Sequence, residues 1–183
     1  MKTIKTMKTI VDGSIIKKYQ VPIDMIDELN HEYEKNKNTL ISESPDLAGR
    51  IDIELDIKNI LPKLKIFNKI NFFINDYIAT LNNFGIISDP SMQTEIQSCW
   101  INDMKEGEYN PVHTHNGPTN AGWSCVLFLK VPEFINDAKH NHKFHDGQLC
   151  FLGHDRILHW VNPTVGDFYL FQANQQHTVY PFK

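Results

Sequence analysis

The residues with the clearest capacity for chemistry are histidines, of which there are nine. Residues 110–115 read NPVHTH and set His113 and His115 two apart. On an extended strand, residues i and i+2 project to one face, so both imidazoles meet one environment. A neutral imidazole is a good ligand for divalent iron, copper, zinc or nickel. A third ligand would hold an ion firmly and still leave coordination positions open. His177, in NQQHTVYPF, lies 64 residues past His113 (177 − 113) and opens the last strand-like run. A rolled sheet can bring strands that distant side by side. Taken alone, an HxH pair is more often two hydrogen-bonded or exposed strand residues than a metal site; His177 shifts that balance.

A second group, His140, His142 and His145 in KHNHKFHDG, sits in a polar stretch between strand-like runs. It reads as an exposed loop, because an unsupported loop must lose conformational entropy before it can hold an ion. His154 and His159 flank Arg156 in GHDRILHW. His159, beside Trp160, fits the wall of a pocket as well as it fits a structural histidine.

The elements that must position these groups fall in two halves. Up to about residue 90 the apolar period is helical. PIDMIDELNHEYEKNK repeats Ile23, Ile26, Leu29 and Tyr33 behind Pro22, and IKNILPKLKIFNKINFFINDYIATLNNFG runs to a capping Gly85, with a break or start at Pro62. From about residue 91 the period is two. EIQSCWIN, GWSCVLFLKVP, GQLCFLG, RILHWVN, GDFYLFQ and HTVYPF are short runs separated by Gly, Pro, Asn and Asp. They predict an all-β sandwich or barrel. The expectation is one α+β, mainly β domain over residues 1–183, with helical support in 1–90 packed outside a β core in 91–183.

Composition narrows the functions. Apolar residues make up 41% of the 183, a globular value, and the formal net charge is −4. That excess of acid argues against a general nucleic-acid binder. No run of about 18 apolar residues predicts a membrane span, and MKTIKTMKTI lacks the apolar core of a signal peptide. Cys99, Cys125 and Cys150 lie in apolar segments and read as buried free thiols of a cytoplasmic protein.

The order and spacing of these pieces carry a resemblance. SCWINDMKEGEYNPVHTHNG, GWSCVLFLKVP and PTVGDFYLFQANQQHTVYPF, with LAGRIDIEL upstream, resemble the iron(II)- and 2-oxoglutarate-dependent oxygenase superfamily. The likeness is greatest to the small 2OG-Fe(II) oxygenases of cyanophages and bacteria, and it covers most of residues 47–183. It implies a double-stranded β-helix, or jelly roll, with helices along one side. It also implies Fe(II), 2-oxoglutarate as cosubstrate, O2, and hydroxylation of a C–H bond in an unspecified small-molecule or protein substrate. The superfamily's HxD/E…H ligands map to His113, His115 and His177, so a histidine stands where the carboxylate is expected. The centre is then either three histidines or two with a ligand from elsewhere. Tyr109 and Asn102 are the residues implied to reach the cosubstrate, although Tyr109 also reads as a packed aromatic. Relatives carry an Arg about ten residues past the distal histidine. This sequence ends six residues past it, either as a shortened protein or as a fragment, which leaves Lys130 and Lys183 as candidate partners for the far carboxylate. A cupin-like three-histidine metalloenzyme that does not use 2-oxoglutarate, and a non-enzymatic β-sandwich protein, remain open.

Overall fold

The computed structural model describes residues 7–11, 14–45, 47–88, 93–115, 122–134, 145–153 and 157–183. The chain opens with a hairpin, β1 (Met7–Val11) and β2 (Ser14–Gln20). Two helices follow, α1 (Ile23–Asn36) and α2 (Lys65–Asn83), separated by a short strand β3 (Glu54–Asp56) and a 3-10 turn at Leu61–Lys63 that holds Pro62. Gly85, at φ +68, ends α2 with its N–H donated to the Asn82 carbonyl.

The remaining strands are β4 (Trp100–Asn102), β5 (Asn110–His113), β6 (Trp123–Leu127), β7 (Leu149–Leu152), β8 (Ile157–Val161), β9 (Asp167–Gln172) and β10 (His177–Val179). They form two four-stranded antiparallel sheets, ordered β1-β2-β9-β6 and β5-β10-β7-β8, with β3 and β4 as a separate pair. This is a mainly β architecture with few helices. The β1-β2 hairpin lies in the half that reads as helical support, and β2 is an integral strand of the first sheet.

The first sheet is covered on both faces. Phe168 and Leu170 of β9, with Ile15 and Tyr19 of β2, join the helix-side core. Tyr169 and Phe171 of β9, with Ile16 of β2, point the other way and pack with Leu149, Phe151 and Val161 of the second sheet. Burial on both faces explains why GDFYLFQ is almost continuously apolar. Helix α2 lays Ile66, Ile70, Phe73, Tyr77 and Leu81 on the sheet at intervals of three and four. Phe73 stacks on Tyr19 at 4.4 Å, and the Tyr77 hydroxyl donates to the Ile15 carbonyl at 2.6 Å. The turn into β9 requires Gly166: its φ is +86, and a Cβ there would lie 2.9 Å from the Val21 carbonyl oxygen.

All three cysteines are free. Cys150 is buried and Cys99 half-buried, whereas Cys125 is exposed, contrary to the reading of three buried thiols. Among the described residues no helix is long and apolar enough to cross a membrane.

Candidate metal centre

Strand β5 ends at His113, which pairs across the ladder with His177 at the start of β10. His115 lies two residues past the end of β5, so the strand alternation that suggested a shared face does not extend to it. Its position is fixed instead by its own N–H, which donates to the Ala173 carbonyl at 2.9 Å just after β9. The three rings still converge. One ligand-type atom from each of His113, His115 and His177 lies within 4.8 Å of the others, and His115 Nε2 is 3.2 Å from His177 Nε2. Two nitrogens bound to one ion at right angles with bonds of about 2.1 Å are roughly 3 Å apart, so this pair already has the spacing. No Asp or Glu among the described residues joins the cluster.

The backbone selects the tautomers. His113 Nδ1 is 2.7 Å from the Pro111 carbonyl, and His177 Nδ1 is 2.9 Å from that of Gln175. A carbonyl only accepts, so each Nδ1 carries the proton and each Nε2 keeps its lone pair. Burial, reinforced by the neighbouring imidazoles of His113 and His115, pushes His177 down to about 3; its bond to Gln175 opposes this. Burial and then His113 bring His115 down to about 4. Both are neutral ligands at neutral pH. Phe171 packs at 4.8 Å from the His177 ring and Trp100 at 5.7 Å from that of His115. His177 is buried while His113 and His115 are half-buried, so access is from their side. Both lie in stretches that carry the resemblance, Trp100 in SCWIN and Phe171 in GDFYLFQ, but the sequence assigns neither a role at the site.

The other candidates differ in where they lie. Tyr109 bridges its backbone to Arg50 and lines a cavity of ≈ 310 Å³ with Val112, Leu152, Thr178 and Tyr180. Val112 and Thr178 alternate with His113 and His177, so this groove belongs to the outer face of the sheet. Asn102 is exposed on β4, sharing a strand face with Trp100. Lys130 is exposed and its ammonium pairs with Glu34 of α1 at 2.9 Å, which draws it to the helix side. Lys183 is exposed at the last residue. His140, His142, His154 and Arg156 lie outside the described residues. His145 departs from the exposed-loop reading: it is half-buried, its Nδ1 is 2.9 Å from Gln148 Oε1, and its ring packs on Trp160.

Residues 98–183 match the family model described as "Putative 2OG-Fe(II) oxygenase". The fold is similar to the crystal structure of a Pseudomonas putida prolyl-4-hydroxylase, with a TM-score of 0.60 and 16% identity over 98% of this chain and 86% of that one. No curated protein matches by sequence. The sequence match spans the second half of the described fold, residues 98–183, and the structural match shows the fold. Together they support the resemblance to the 2-oxoglutarate- and iron(II)-dependent oxygenase superfamily.

Proposed function

We propose that this protein is a non-haem iron(II)- and 2-oxoglutarate-dependent dioxygenase that hydroxylates a C–H bond, and that His113, His115 and His177 hold the iron. The observation that carries the reading is the convergence of three imidazoles inside a fold of this superfamily, two of them with Nδ1 committed to a carbonyl. We read the two facing sheets as its jelly roll. When bound, the iron and 2-oxoglutarate supply the oxidative decarboxylation that activates O2.

The chain's own residues do the rest. The carbonyls of Pro111 and Gln175 hold the rings of His113 and His177 in the ligating tautomer. Phe171 and Trp100 keep water from the inner side of the rings. Three neutral imidazoles leave the double charge of a divalent ion uncompensated, where a carboxylate ligand would remove one unit. A dianionic 2-oxo acid cancels that charge, so the all-histidine set favours its binding. The same all-histidine set favours the second reading, a cupin-like three-histidine metalloenzyme that does not use 2-oxoglutarate.

Metal content followed by succinate formation separates the two. The dioxygenase reading expects one ion per chain and succinate from 2-oxoglutarate. One ion without succinate selects the second reading, and no ion rejects both.

A further inference from the structure

Four side chains form one transverse row on the inner face of the second sheet. The register sets His113 beside His177, His177 beside Phe151, and Phe151 beside His159. His159 therefore shares the interior with two of the proposed ligands. It stands two strands beyond His177, about 10 Å away backbone to backbone at roughly 4.8 Å per strand. Its ring lies nearly parallel to that of Phe151, at 19° with centroids 6.2 Å apart. It is half-buried, and burial lowers its pKa, so it presents a neutral imidazole. No hydrogen bond to either of its ring nitrogens is found among the described residues. Among the described residues, Lys18, over the Tyr169 ring, is engaged by Asp167 at 2.6 Å, and Lys130 is drawn to the helix side by Glu34.

We propose that His159 receives the distal carboxylate of the 2-oxo acid, donating its ring N–H to a carboxylate oxygen. The inference rests on the proposed function and names the binding partner for the far end of that cosubstrate. In a five-carbon 2-oxo diacid the far carboxyl carbon lies three C–C bonds beyond the oxo carbon, roughly 4 Å at about 1.5 Å per bond. Added to a metal bond of about 2 Å, that reach crosses from the imidazole cluster towards β8. Phe151, fully buried between the two histidines of the row, supplies the apolar floor for the intervening methylenes. A carboxylate there needs a donor, because an unpaired one in a buried site is strongly disfavoured.

The test is calorimetric titration of the manganese-loaded protein without oxygen, using 2-oxoglutarate and 2-oxobutyrate, which lacks the distal carboxylate. The wild type is expected to bind 2-oxoglutarate the more tightly. His159→Ala is expected to lose about tenfold in affinity for 2-oxoglutarate and nothing for 2-oxobutyrate, the size of one charge-assisted hydrogen bond. His159→Gln, which keeps a neutral donor, is expected to lose less, and it carries the comparison if the alanine variant does not fold. Unchanged 2-oxoglutarate affinity in both variants, or equal loss for both acids, overturns the assignment of His159 alone. A wild type that binds manganese but neither acid overturns the dioxygenase reading, and this inference with it.

Discussion

The two faces of the first sheet do different work. Towards the helices, the described core gathers seventeen buried residues, and Asp76 at its edge accepts from both Lys17, at 2.5 Å, and the Tyr19 hydroxyl, at 2.8 Å. Towards the second sheet six buried residues among those described form the apolar cluster, and beside them stand His115 and His177 with their Nε2 atoms facing one another. One face spends its side chains on packing. The other holds buried polar groups in a geometry that packing alone does not reward. Stability and chemistry are thus separated by the thickness of a single sheet, with β9 contributing alternate residues to each.

The sharpest way to break this contrast is to remove a ligand. His177→Ala is expected to lower metal affinity by roughly a hundredfold or more, since even partners that only orient ligands account for 10–100-fold. Its far-ultraviolet circular dichroism should stay unchanged, and a loss of fold would show that the site side is structural. Next in size is the helix side. Phe73→Ala should cost about 3–5 kcal/mol in denaturant unfolding while the folded fraction still binds one metal ion per chain. Altered metal stoichiometry in that variant would deny the separation.

A third prediction concerns pH. In the metal-free protein His177 and His115 titrate near 3 and 4, below their ordinary value of 6.5. Between those limits the unfolded chain binds protons that the folded chain refuses. Stability is therefore full above about pH 6.5 and declines as the pH falls towards 4, by at most about 1.4 kcal/mol per pH unit for each imidazole. His177→Phe should flatten the decline between pH 6.5 and 4, and an unchanged slope would place its origin elsewhere. The smallest effect is expected at Lys130. Lys130→Ala should leave the Kd for 2-oxoglutarate within about twofold, because its ammonium lies in an exposed pair with Glu34. A larger loss would restore it as a cosubstrate partner.

Much of this plan was legible in the residues. Helical spacing gave α1 and α2 because each buries one stripe, and short apolar runs between turn residues gave most of the strands from β4 onwards. The part that stayed hidden has a physical cause. Strand β2 carries Lys17 and Lys18 in a run that looks too charged for a sheet interior. Both charges are answered from afar, Lys17 by Asp76 on α2 and Lys18 by Asp167 on β9, and no local pattern reveals those pairings. In the site, the order and spacing of His113, His115 and His177 were visible. The way His115 arrives was not, since it depends on a backbone bond to Ala173 rather than on the strand period. Position along the chain makes Lys130 and Lys183 candidates for the far carboxylate, and it says nothing of the face a side chain takes at a strand end. His159 lay in a strand-like run, but only the register across β10, β7 and β8 puts it in one row with His177.

The central claim is that three imidazoles hold one ion. X-ray absorption of the iron(II)-loaded protein tests it most directly, because the outer-shell scattering of imidazole rings reports how many are bound. One ion per chain with three bound imidazoles at about 2.1 Å is the predicted result. Two or fewer imidazoles on the ion, or no stoichiometric iron, would contradict it.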